Sequence, residues 1–151
     1  MKLPKGITGF LKSSDEELPE IGEKWLKEQI YLCTSAKYVV HEITLPTTST
    51  NFYKVTFVNS VTGKLILILV NDTYPFFAGV TEDSSWMQNN FIEVLDDLKN
   101  CLEPKLTYLS TELLNTEFVN DNLSDLGKEE LAQIKYWKCK TFGEIIFNEF
   151  D

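Results

Sequence analysis

Between Lys37 and Thr81 the chain carries four segments of strand character in succession, joined by connections of a few residues. Parallel neighbours need crossovers of a dozen residues or more, so connections this short predict an antiparallel meander. Lys37 to Leu45 alternates, with Val39, His41, Ile43 and Leu45 on one face and Tyr38, Val40, Glu42 and Thr44 on the other. That is the period of two that a pleated strand imposes. Pro46 and the polar stretch Thr47 to Asn51 end it. Phe52 to Val58 alternates again, with Tyr53, Val55 and Phe57 together. Asn59 to Gly63 has hairpin length and ends in glycine. Lys64 to Val70 is almost continuously apolar and reads as a central strand covered on both faces. Asn71 to Pro75 is a turn, and Phe76 to Thr81 is a fourth strand.

The flanks read differently. Residues 1–20 form a leader interrupted by Pro4, Gly6, Gly9 and Pro19. A helix is expected from Ile21 to about Cys33, with Ile21, Trp25 and Leu32 on one face and Leu26, Ile30 and Cys33 beside it. Asp15, Glu16, Glu17, Glu20 and Glu23 precede it or open it, where acids complement the helix dipole. Ser84 or Ser85 caps a second helix in which Phe91, Val94, Leu95, Leu98 and Leu102 recur at helical spacing, ended by Pro104. Residues 105–118 fit either a helix (Leu106, Leu109, Leu113) or a strand edge (Leu106, Tyr108, Ser110). Asn120 to Asn122 is a loop, a short helix runs from about Ser124 to Tyr136, and Thr141 with Glu144 forms a capping box that opens a last helix to Phe150. The expectation is one domain over residues 1–151 of the α+β class. It comprises an antiparallel meander of about four strands, preceded by one helix and followed by several helices packed on one face.

The chemistry is restricted. All fourteen basic residues are lysines, so bidentate guanidinium recognition of phosphate or carboxylate is unavailable. No secretory signal or membrane-length apolar run is seen, which predicts a cytoplasmic protein. Cys33, Cys101 and Cys139 are odd in number and far apart in sequence, and read as buried reduced thiols. The sole histidine, His41, sits on a strand and reads as a sheet-face residue. Gly6-Ile7-Thr8-Gly9 is too short and terminal for a phosphate cradle, and Asn120 to Asp125 lacks the sixth-position glycine of a calcium loop. No catalytic motif, metal set or cofactor motif is present in the sequence. A carboxylate pair or a Cys–His site remains open, because neither has a spacing rule.

Charge is the feature above background. Residues 1–75 hold eight lysines and eight acids, whereas residues 82–130 hold twelve acids against three lysines, the whole net charge of −9. Such a surface repels nucleic acid and anionic lipid. It serves solubility, or it forms a docking face for a basic partner through Glu93, Asp96 and Asp97, with Glu112, Glu117 and Asp121 beside them.

The stretch Ile134 to Asn148 and the opening Leu3 to Phe10 resemble a group of small acidic proteins of Gram-positive bacteria regarded as candidate immunity proteins of polymorphic toxin systems. The resemblance covers the two ends only. It implies a cytosolic protein-binding domain that neutralises a basic toxin and needs no cofactor. The alternatives are an enzyme with a carboxylate or Cys–His site, and a structural domain, homo-oligomeric if so. The predicted cap is directly testable: Thr141→Ala should cost about 0.5–2 kcal/mol, read as a shift of the denaturant midpoint. An unchanged midpoint would remove it.

Overall fold

The computed structural model describes residues 1–10, 18–84 and 89–150. Helix α1 spans Glu23–Tyr31, followed by strands β1 (Tyr38–Thr44), β2 (Phe52–Asn59), β3 (Leu65–Asn71) and β4 (Phe76–Val80). Then come β5 (Phe91–Ile92), α2 (Asp96–Leu102), β6 (Thr107–Tyr108) and α3 (Thr111–Leu114). A 3-10 turn at Asn120–Leu123, α4 (Lys128–Tyr136) and α5 (Phe142–Ile146) complete the order. The class is α+β, as expected, with β1 to β5 hydrogen-bonded in chain order and antiparallel. The exception is β6, which runs parallel to β4 and shares its outer edge with β5.

The apolar run of β3 explains the layering. Leu67 and Leu69 point into one core, and Ile68 and Val70 into another. The first core is closed by Leu109, Leu114, Ile134, Phe142, Ile145 and Ile146 from the later helices and their connections. The second is closed by Leu26 and Ile30 of α1 and by Leu98 and Leu102 of α2. The helices, expected on one face, therefore divide between both.

Several boundaries depart from the sequence reading. The periodic segment from Phe91 is not one helix. Its first residues pair with Gly79 and Val80 as β5, and α2 begins only at Asp96. Gly79 permits the close approach, since a Cβ there would lie 2.8 Å from the Ile92 carbonyl oxygen. The unpaired edge of β4 thus outweighs helical spacing, and Leu95 is left exposed. Leu32, placed on the buried face of α1, is 74% exposed because the helix ends at Tyr31. Gly127 does not sit inside a helix but caps α4, and α5 stops at Ile146. Residues 105–118 contain both elements, β6 and then α3. In β1 a bulge between Val40 and Glu42 breaks the alternation: Tyr38 and Val40 before it and Ile43 after it pack on the same core, while Val39 and His41 are exposed. Asp15, Glu16, Glu17 and Ser85 lie outside the described residues. No helix among the described residues is long and apolar enough to cross a membrane.

Other expectations hold. Thr141 caps α5 by accepting from the Glu144 amide at 3.4 Å, and its hydroxyl lies 3.1 Å from Glu144 Oε1. Trp137 stacks on Phe150 at a ring separation of 6.2 Å. At the hairpin, Gly63 adopts φ +73° and donates to the Asn59 carbonyl.

The leader is tied into the fold by buried polar groups. Leu3 and Ile7 have no exposure. Glu130, on the third residue of α4, is also fully buried. Its Oε1 accepts from the amides of Gly6 (2.9 Å) and Gly127 (3.2 Å). Its Oε2 accepts from the amide (3.1 Å) and hydroxyl (2.6 Å) of Thr8. Gly6 takes φ +92°, a left-handed conformation open to glycine at little cost. Three buried asparagines stand beside this anchor. Asn51 and Asn71 each donate to the carbonyls of Ile7 and Ile146, and Asn148 donates to those of Thr8 and Ile145. Because every group facing Glu130 is a donor, Glu130→Gln puts an amide NH2 against an N–H or O–H. The expected loss is about 1–3 kcal/mol of stability, measured by denaturant unfolding. A variant as stable as the parent would show that the anchor is dispensable.

Candidate functional site

The acids singled out by charge do not form one uniform face. Glu93 follows β5 and is bonded inward: its Oε2 accepts from the Tyr108 hydroxyl at 2.6 Å and its Oε1 from the Thr111 amide at 3.2 Å. These bonds, the Tyr108 phenol first, hold the Glu93 carboxyl below its ordinary range. Asp97 accepts from Lys37 Nζ and the Tyr38 hydroxyl, both at 2.8 Å, and these partners lower its pKa. The neighbouring Asp96 has an 88% exposed side chain, with Lys99 at 3.4 Å. Glu112, Glu117 and Asp121 are exposed on and after α3.

The fold brings part of this set together. The Glu93–Thr111 bond joins the segment after β5 to the first turn of α3, where Glu112 stands. Glu117 lies further along, bridged to Thr141 at the start of α5. Asp121 sits in the 3-10 turn whose Asn122 donates to the Met1 carbonyl. Among the described residues, no lysine lies within ion-pair distance of Glu112, Glu117 or Asp121.

A cleft of about 760 Å³ lies where the leader, the β1–β2 connection and the C-terminal segment meet. Thr8, Phe10, Thr47, Ser49, Asn51 and Phe150 are among its walls, a lining of hydroxyls, amides and rings without a charge. Two smaller clefts of about 190 and 160 Å³ flank Lys54 and Glu149, and Asn115 and Glu144. His41 and the cysteines line none of these three. Among the described residues, no three of His, Cys, Asp and Glu are grouped as metal ligands would be.

Sequence reasoning missed two arrangements. Gly6-Ile7-Thr8-Gly9 does cradle an anion, but the anion is the carboxylate of Glu130. The only signal was a glycine-flanked threonine in one segment and an acid at the third position of a helix in another. The cysteines are not all buried: Cys33 and Cys139 are, whereas Cys101 is exposed.

The Glu93–Tyr108 bond makes a testable claim. Burial, then the Glu93 carboxylate, push the Tyr108 phenol up to about 12 from an ordinary value of 10.0. A raised folded pKa means that this contribution to stability is complete below about pH 10 and is lost as pH rises toward 12. Glu93 has the opposite sign: its contribution is present above the ordinary glutamate range and fades as pH falls through the lowered value. Ultraviolet titration of Tyr108→Phe should lose a phenol titrating near 12, and NMR should show the Glu93 carboxyl returning upward. An unchanged Glu93 titration would break the assignment.

No protein-family model matches this chain, and no curated protein or solved structure does either.

Proposed function

We propose that the chain is a protein-binding domain that docks a basic partner, in the manner of an immunity protein occupying the cationic groove of a toxin domain. The observation that carries this reading is the division among its acids. All six acids are exposed, but Glu93 and Asp97 accept hydrogen bonds within the fold, Asp96 has Lys99 at 3.4 Å, and Glu112, Glu117 and Asp121 have no lysine partner among the described residues. Carboxylates left in this state cost the fold little and are available to a lysine- or arginine-rich surface. They act mainly on encounter, because their field reaches about 10 Å at 0.1 M salt. The resemblance of the two chain ends to candidate immunity proteins supports the same reading.

The test takes as ligand whichever basic protein, screened from the products of the neighbouring genes, binds the chain. Neutralising Asp96, Glu112, Glu117 and Asp121 to Asn or Gln should slow association about tenfold or more at low salt, with the rates converging as salt rises. Glu93→Gln with Asp97→Asn, which alters the inward-bonded pair, should slow it less. Equal rates for the four-site variant and the parent at every ionic strength would leave the acids a solubilising role alone.

A further inference from the structure

The sequence separates Cys33 and Cys101, but the fold places them together. Cys33 follows the end of α1 and is 4% exposed, packed in the core that α1 and α2 close. Cys101 lies in the last turn of α2, exposed, and its thiol faces the Leu32 carbonyl at 3.8 Å. Leu32 is the residue directly before Cys33, so this contact sets Cys101 beside Cys33. The third cysteine, Cys139, is buried in the core on the opposite face of the sheet.

We propose that Cys101 and Cys33 form a thiol-modification site, in which Cys101 takes up a small disulfide and Cys33 resolves it into an intramolecular disulfide joining α1 to α2. The exposed Cys101 thiolate attacks one sulfur of a low-molecular-weight disulfide RSSR. A Cys101–SR bond forms, the S–S bond of RSSR breaks, and RS⁻ leaves and takes up the proton that Cys101 gave up. Cys33 then loses its proton and attacks the Cys101 sulfur, expelling the second RS⁻, which is protonated in turn. The two cysteines are oxidised by two electrons, RSSR is reduced to two RSH, and no atom of the reagent stays on the protein. The order of attack follows from access. Burial first, then the Cys101 neighbour, push the Cys33 thiol up to about 12, so Cys33 is the poorer initial nucleophile. This inference is independent of the docking proposed above.

The experiment treats the reduced full chain with bis(2-hydroxyethyl) disulfide under native conditions. Intact mass, free-thiol titration and a non-reducing peptide map are the readouts. The expected result is loss of two titratable thiols, a mass lower by two hydrogens with no adduct, and one linked peptide pair containing Cys33 and Cys101. The denaturant midpoint should rise on oxidation. Cys33→Ala should stop at the mixed disulfide on Cys101, and Cys101→Ser should lose the reaction. Cys139→Ser should react as the parent does. A parent protein that stops at the Cys101 adduct overturns the proposal. So does one that links through Cys139 or between molecules, or that does not react. The parent's peptide map alone decides the matter if a variant at buried Cys33 fails to fold.

Discussion

The arrangement of both layers depends on how the buried polar groups at the two chain ends are satisfied. Glu130 and the side chains of Asn51, Asn71 and Asn148 lie where water does not reach. A buried polar group without a partner costs on the order of 1–3 kcal/mol, more if it is charged. Here each finds its partner on a distant segment. The carbonyls of Ile7 and Ile146 each accept from two asparagines, which draws the leader, the start of β2, the end of β3 and the end of α5 to one point. A partial set would be worse than none, because every missing member strands another's donor or acceptor. The network therefore permits one placement of the leader, the one in which Leu3 and Ile7 enter the core beneath the later helices.

With the ends fixed, the sheet acts as a partition. Its two cores share strands but no side chains, since successive residues of β3 point to opposite faces. The charged elements sit outside this partition. Asp97 and Glu93 show how an acidic segment is attached to it: each is held by a tyrosine hydroxyl whose ring packs on the core side of α1 and α2. Asp96, Glu112, Glu117 and Asp121 project from this frame into solvent.

What was legible in the sequence was local. The alternation of β2, the double-sided run of β3, the Asn59–Gly63 hairpin and the Thr141 cap depend on residues a few positions apart, and all appear in the structure. Where a distant partner decides, the sequence reading failed. Phe91 opens a run of helical spacing, yet the open edge of β4 claims it together with Ile92. The alternation of β1 looked regular because a bulge leaves no mark in a pattern of apolar and polar residues. The candidate acids were legible as charge but not as contacts, because Tyr38 and Tyr108 carry no sign of which carboxylate they will hold. The Cys33–Cys101 pair had no signal either, since the two residues meet only once the end of α2 is set against the Leu32 carbonyl that follows α1.

The bulge in β1 bears on a problem common to sheet proteins. One margin of this sheet is covered, because β5 and β6 divide the outer side of β4 between them. The other is β1, a seven-residue strand that stands last in the sheet order among the described residues. An unprotected margin of that length is a template on which another extended chain can add itself, the first step of fibril growth. The slip at His41 interrupts the regular ladder of this strand after Val40, and Glu42 adds an exposed charge to it, two of the devices by which sheet proteins blunt an edge. The lone histidine thus sits at the irregularity of an edge strand, the kind of feature that makes such a margin a poorer template for a second chain.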